Sequence, residues 1–241
     1  MKLTVLGFMG GYPAKGVGTT AYLLESEAFH LLIDVGSNAV LALEKHLDPK
    51  QLDAVIVTHY HPDHIADMGV LQHVFQLKDP DKTLPIYGHV ESDLHGLRES
   101  AYTTAVDYTG NEPITIGPFR ISFLKTLHPV PCYALEIIEI TTGKKLVFTA
   151  DSGYLADFVS FSKDADVLLA DTNFFQGQEG HKVHMTSYEV GSIAKEANVK
   201  KLILTHLPPS GEWENLLGEA KEAVGDVVVV QLAEKDFQII I

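Results

Sequence analysis

Short apolar, β-branched stretches alternate with helical patterns through most of the 241-residue chain. The stretches predict strands because β-branched and aromatic residues favour extended backbone. The predicted strands cover 3–6, 20–26, 29–34, 54–58, 84–87, 119–127, 133–140, 146–150, 167–170, 201–205, 227–230 and 237–241. The helical patterns cover 38–46, 65–76, 91–98, 154–162, 187–197 and 212–223, with a further helical insertion near 102–108. Many strands with intervening helices predict a layered α/β fold with helices outside.

Composition limits the kind of protein this sequence can encode. The chain is 46% hydrophobic and 21% charged, so it can bury a sizeable core. Its length and the lack of a Pro/Ser-rich linker predict a single domain over 1–241. The net charge of -14 argues against a dedicated polynucleotide-binding surface, which needs a basic face. One cysteine, Cys132, excludes an internal disulfide and a metal site made of cysteines alone.

The apolar stretches are short compared with a membrane span. Apolar stretches such as 227–230 are far below the roughly 20 residues that a spanning helix needs. The amino-terminal stretch 1–7 is too brief for a signal peptide and is more typical of a first strand. The sequence therefore predicts a soluble, cytoplasmic protein with no membrane partner.

Three of the twelve histidines lie in the stretch 58–64, Thr-His-Tyr-His-Pro-Asp-His, between a predicted strand and a predicted helix. In extended backbone His59 and His61 point the same way, because side chains alternate with period two. Asp63 and His64, where the helix begins, point in another direction. The stretch can therefore offer two ligands to one metal ion and two to a neighbouring ion. Imidazole with carboxylate suits zinc, and also iron or manganese.

Three other ligand-type residues, His128, Asp151 and His206, each follow a predicted strand directly. Sheets in α/β proteins place ligand sites at the carboxyl ends of their strands. Their shared position predicts that these side chains converge on one site.

These motifs resemble the metallo-β-lactamase superfamily, and the resemblance covers nearly the whole chain. The matching segments are 31–36, 59–64, 128, 148–153 and 204–206. The resemblance implies a four-layered αββα sandwich. It also implies that one metal ion is bound by His59, His61 and His128, with Asp151 bridging to a second ion.

By the same resemblance, the second ion is bound by Asp63, His64 and His206. Asp34 matches the family's early Asp, which supports the site without binding metal. The expected cofactors are two Zn²⁺ ions, and the same ligands are compatible with Mn²⁺ or iron. In the mechanism that the resemblance implies, a metal-bridging hydroxide attacks the substrate and Asp63 aims it.

The segment 166–206 resembles the ribonuclease Z branch of this superfamily. There an acidic residue on a strand precedes a His-x-Thr helix start and the last metal-binding His. The amino-terminal segment 10–24 agrees with that branch. By this match His184 is the His that stabilises or protonates the reacting phosphate without binding metal. Asp171 is its acidic partner, which orients His184.

The resemblance implies a binuclear metal-dependent phosphodiesterase. The chain differs, however, from the tRNA-processing members of this branch. Those members carry a long basic arm between the residues matching His128 and Asp151, where this chain has two predicted strands and a turn. The negative charge agrees, since tRNA binding depends on phosphate neutralisation. The expected substrate is therefore a small phosphodiester or nucleotide, not pre-tRNA. The branch also implies a homodimer.

Three alternatives stay open from the sequence. The same metal site could hydrolyse a carboxylic ester, lactone or thioester, without needing His184. Bound iron would suit an oxidoreductase, although no flavodoxin-like or rhodanese-like extension is present. A metal-binding module without activity is the least favoured alternative, because all seven ligand positions hold competent residues.

Overall fold

The computed structural model describes every residue, Met1–Ile241. The chain forms two compact units. One comprises Met1–Glu112 with Glu234–Ile240, and the other comprises Pro113–Ala233 with Ile241. Each unit contains one mixed β-sheet. The assignment of the whole chain to a single domain stays a prediction.

The sheet of the first unit has eight strands, in the order β15-β1-β3-β4-β5-β6-β7 with β2 paired to β1. They are β1 (Lys2–Met9), β2 (Gly18–Thr19), β3 (Ala21–Ser26), β4 (Phe29–Ile33), β5 (Ala54–Ile56), β6 (Leu84–His89), β7 (Thr103–Tyr108) and β15 (Gln238–Ile240). Strands β4 to β7 run parallel to one another. Because β4 and β5 are parallel neighbours, the residues that follow them emerge at the same edge of the sheet.

The helices of the first unit are short. They are α1 (Ala39–Leu43), α2 (Pro62–Ile65), α3 (Met68–Lys78) and the 3₁₀ segments Pro49–Gln51 and Asp93–Arg98. Apolar side chains of α1 and α3, including Leu43, Leu71 and Phe75, are buried in one core cluster with Leu32 and Val55 of the sheet. This cluster fixes the sheet edge from which the His-rich stretch continues.

The sheet of the second unit has seven strands in the order β14-β13-β12-β11-β10-β9-β8. They are β8 (Ile114–Ile116), β9 (Phe119–Lys125), β10 (Tyr133–Glu139), β11 (Lys145–Phe148), β12 (Val167–Asp171), β13 (Lys201–Thr205) and β14 (Val229–Leu232). Strands β8 to β11 are antiparallel, and β11 to β14 are parallel. The carboxyl ends of β11, β12 and β13 therefore lie side by side.

Three helices belong to the second unit: α4 (Asp157–Phe161), α5 (Ser187–Glu196) and α6 (Trp213–Val224). The start of α5 is fixed by a capping box, in which the Thr186 and Glu189 side chains satisfy each other's backbone N–H groups. Helices α5 and α6 approach closely at Gly191, where a Cβ would lie 2.7 Å from the Cβ of Ala223. No helix of the chain combines the length and the apolar character that crossing a membrane requires.

Most of the predicted strands and helices are confirmed within a few residues. The helix predicted near 102–108 is wrong, because Thr103–Tyr108 forms strand β7, paired in parallel with β6. Alternating threonine, valine and tyrosine in this segment suits a pleated strand better than a helix. The segment predicted as a helix over 91–98 is a 3₁₀ turn at Asp93–Arg98. Strands β2 and β8 are too short for the sequence pattern to reveal.

A charge cluster links the start of β11 to the turn before β12. The Asp166 carboxylate lies 2.7 Å from Lys200 Nζ and 3.1 Å from Lys144 Nζ, and it accepts the Lys145 N–H at 2.9 Å. Burial acts to raise the Asp166 pKa, but these donors outweigh it and lower the pKa from 3.8 to about 2. The cluster therefore stabilises the fold above pH 4, and this contribution is lost as the pH falls towards 2.

Asp166→Asn is expected to lower the free energy of unfolding by about 1 kcal/mol at pH 7, since exposed lysines on the cluster are screened by solvent. The deficit should shrink as urea unfolding is repeated from pH 5 down to pH 3. Asp226→Asn, at an exposed turn, is the control and should be neutral. A deficit that stays constant between pH 5 and pH 3 would show that packing, and not ionisation, carries the effect.

Candidate metal centre

The His-rich stretch leaves β5 as extended backbone and enters α2 at Pro62, which is favoured at the first helical position. His59 and His61 lie on the same side, as predicted, with His59 Nε2 3.1 Å from His61 Nδ1. Two nitrogens bound to one tetrahedral zinc ion at about 2.0–2.1 Å would be about 3.3 Å apart. The pair therefore matches the spacing of two ligands of a single metal ion.

Asp63 and His64 lie in the first turn of α2, and both are buried. The N–H of Gly11 donates to Asp63 Oδ2 at 2.8 Å and fixes that carboxylate. The same Asp63 oxygen lies 3.7 Å from His64 Nε2. Gly36 permits this packing, because a Cβ there would lie 2.3 Å from the carbonyl oxygen of Asp63.

Asp34 holds two residues of the His-rich stretch, Thr58 and His64, by hydrogen bonds. It follows β4 with a left-handed backbone, φ 56°, and is fully buried. Its carboxylate accepts the N–H and the hydroxyl of Thr58, both at 2.8 Å, and the Nδ1–H of His64 at 2.8 Å. Burial raises the pKa of Asp34, while His64 and Thr58 act in the opposite direction. Because Nδ1 of His64 is bound to Asp34, Nε2 is the ring nitrogen that could bind a metal ion.

In the second unit, Asp151 lies between two imidazoles. Its Oδ2 is 3.4 Å from His206 Nε2 and 3.9 Å from His128 Nε2. His128 Nδ1 donates to the carbonyl oxygen of Val183 at 3.1 Å, which orients the ring. All three side chains are nearly fully buried. A buried carboxylate flanked by two imidazoles is a set of donors that could hold a metal ion.

His184 is hydrogen-bonded to Asp171, as the resemblance implies. The His184 Nδ1–H donates to Asp171 Oδ2 at 2.8 Å, and the Ser152 N–H donates to the same oxygen at 3.1 Å. Burial lowers the pKa of His184, but the charge and hydrogen bond of Asp171 outweigh burial and raise it above 6.5. The ring of His184 lies 5.0 Å from that of His206, between ring centroids. A cationic imidazole can therefore stand beside the candidate ligands.

The donor set in each unit fits a divalent ion, because it consists of buried imidazole and carboxylate groups with oriented rings. The first unit brings together His59, His61, Asp63 and His64. The second unit brings together Asp151, Asp171, His184 and His206 as a group that could hold a metal ion, and places His128 beside Asp151. The assignment of these residues to particular ions stays a prediction.

Sequence reasoning missed several residues that hold the candidate ligands. Thr58 and Ser152 bind the carboxylates of Asp34 and Asp171, respectively. Gly11 lies in a segment that resembles the ribonuclease Z branch, but the sequence does not indicate that its N–H holds Asp63. These contacts depend on tertiary structure, and no periodic pattern marks them.

Comparisons with known proteins agree with this arrangement. Residues 30–207 match the family model of the beta-lactamase superfamily domain. The probable metallo-hydrolase YhfI of Bacillus subtilis (strain 168) is 45% identical over 92% of this chain and 93% of its own. The crystal structure of the metallo-beta-lactamase fold protein YhfI from Bacillus subtilis aligns with a TM-score of 0.94 at 42% identity, covering 99% of this chain and 98% of that chain.

A more distant relative is the ribonuclease Z of Archaeoglobus fulgidus, which is 23% identical over 95% of each chain. The predicted resemblance and the predicted fold class are confirmed by these matches. The relatives and the His/Asp groups together support a metallo-hydrolase that uses divalent ions. The chain belongs to the beta-lactamase superfamily.

Proposed function

We propose that this protein is a binuclear metal-dependent phosphodiesterase that acts on a small phosphodiester or nucleotide. The observation that best supports this is the His184–Asp171 pair, 2.8 Å apart, beside the imidazoles of His128 and His206. Phosphoryl transfer develops negative charge on the phosphate oxygens and on the leaving group. The buried Asp171 carboxylate favours the imidazolium form of His184. This imidazolium supplies a positive charge and a proton where the negative charge develops.

We propose that the chain binds two divalent ions through the ligands that the resemblance implies. They are His59, His61 and His128 for one ion, Asp63, His64 and His206 for the other, and Asp151 between them. Zn²⁺ is the proposed ion, and Mn²⁺ or iron fits the same donors. When bound, such ions would lower the pKa of a coordinated water towards neutrality, which makes hydroxide available as a nucleophile.

The residues of the chain then have separate roles. Asp63, held by the Gly11 N–H, accepts a hydrogen bond from the attacking water and aims it at phosphorus. His184 donates a hydrogen bond or a proton to the phosphate, and Asp171 keeps its ring oriented. These roles require fixed geometry, which the hydrogen bonds to the Asp63 and Asp171 carboxylates support.

The proposal of a small substrate follows from two features. The chain between His128 and Asp151 contains only the hairpin of β10 and β11 and its flanking turns, and the net charge is -14. Neither feature suits the many phosphate contacts of a polynucleotide. The ribonuclease Z relatives support phosphodiester chemistry, since RNA is a phosphodiester polymer. The homodimer and the cytoplasmic location stay predictions.

The first test is hydrolysis of bis(p-nitrophenyl) phosphate by protein loaded with Zn²⁺ or Mn²⁺. We expect turnover that chelation removes and metal restores. A lactone and p-nitrophenyl acetate are assayed in parallel under the same conditions. Turnover of these esters without any phosphodiester hydrolysis would overturn the phosphodiesterase proposal and favour the ester or lactone hydrolase.

A further inference from the structure

His206 has a backbone conformation that needs support. Its φ is 52°, in the left-handed region that residues other than glycine seldom adopt. Such a conformation is strained and persists only where neighbouring contacts impose it. One such contact is a hydrogen bond from Asn173 Nδ2 to the carbonyl oxygen of His206, at 2.8 Å.

The ring of His206 is approached by the same short segment. Asp171 Oδ1 lies 3.3 Å from His206 Nδ1, a charge-pair distance that is slightly long for a hydrogen bond. The other oxygen of Asp171 accepts the Nδ1–H of His184 at 2.8 Å. One fully buried carboxylate therefore faces both imidazoles, whose ring centroids are 5.0 Å apart.

The sheet explains why this segment reaches His206. Strands β12 and β13 are parallel neighbours, with Asp171 in register with Thr205. The Thr172 N–H continues the ladder to the carbonyl oxygen of Thr205, at 2.9 Å. The end of β12 and the residues that follow it therefore lie against His206, the residue just after β13. Asp171 approaches the ring of His206, and Asn173 contacts its backbone.

We infer that Asp171–Asn173 is a clamp on His206, and that Asn173 and Asp171 are both positioning residues for metal binding by His206. We call this segment the β12 clamp. The inference rests on the proposed function only in taking His206 as a metal ligand. Asn173 acts on the backbone of His206 alone, whereas Asp171 acts on His206 and His184 together. The two residues should therefore have different effects when they are replaced.

Outer hydrogen-bond partners of metal ligands usually contribute about 10–100-fold to metal affinity. We expect Asn173→Ala and Asp171→Asn each to weaken Zn²⁺ binding by about 10–100-fold, measured by competition with a chromogenic chelator. His184→Ala should leave Zn²⁺ affinity within about twofold of wild type, because His184 is not a ligand in this scheme.

Asn198→Ala is the matched control. Asn198, in the turn after α5, also donates through Nδ2, to Asp164 Oδ1 at 2.7 Å, but it is exposed and precedes β13, whereas His206 follows that strand. Its replacement should not change Zn²⁺ affinity. Loss of affinity in Asn198→Ala equal to that in Asn173→Ala would assign the effect to general destabilisation and overturn the inference.

Metal affinity is measured without any substrate, so it separates this inference from the proposed phosphodiesterase activity. Wild-type Zn²⁺ affinity in both Asn173→Ala and Asp171→Asn would overturn the clamp, whether or not phosphodiesters are hydrolysed. Weakened affinity with no phosphodiester turnover by the loaded wild-type protein would keep the clamp and overturn the function. If Asn173→Ala fails to fold, the near-isosteric Asp171→Asn carries the test.

Discussion

Asp63→Ala is expected to lower kcat for bis(p-nitrophenyl) phosphate by about 10²–10⁴-fold in protein that keeps its metal ions. The Asp63 carboxylate is nearly buried and is held by the Gly11 N–H at 2.8 Å, so its oxygens have a fixed direction. In the proposed mechanism it aims the attacking water, and alanine offers no acceptor in its place. KM should change much less than kcat, because Asp63 acts on the water and not on the substrate.

The matched control for this experiment is Asp67→Ala. Asp67 lies four residues later and also accepts a backbone N–H, from Val40 at 3.1 Å, but it belongs to no proposed ligand group. Its replacement should cost some stability and leave kcat within a few-fold of wild type. Metal content is measured for both variants by mass spectrometry. A metal-loaded Asp63→Ala protein with near-wild-type kcat would remove the aiming role.

Much of the candidate site could be predicted because it follows simple geometry. Alternation with period two places His59 and His61 on one side, and the structure separates their facing nitrogens by 3.1 Å. Asp151 and His206 each follow a predicted strand. The parallel order of β11 to β13 brings the ends of these strands together. Predictions of this kind hold because they depend on the local backbone and on the order of parallel strands.

Other parts depend on contacts between distant segments, which the sequence does not show. Asn173 is an ordinary polar residue in the sequence, and only the register of β12 and β13 places it on the carbonyl group of His206. The left-handed φ angles of Asp34 and His206 likewise have no glycine to mark them. The prediction of a helical insertion near 102–108 fails for the same reason, because pairing with β6 makes this segment strand β7.

His184→Ala is expected to lower kcat for the same phosphodiester by about 10²–10³-fold with unchanged metal content, since a positioned proton donor contributes on that scale. The reason is its hydrogen bond to Asp171, which favours the charged imidazole beside the reacting phosphate. His181→Ala is the control, because this exposed ring lies three residues earlier, against Phe174, at a centroid distance of 4.4 Å. Its kcat should stay within about threefold of wild type.

Loss of metal from His184→Ala would instead make His184 a ligand, and equal rate losses in both variants would assign the effect to distortion of the shared loop. A kcat loss confined to His184→Ala, with full metal content, would place proton donation beside the metal ions and distinguish this site from an ester hydrolase that works with metal alone.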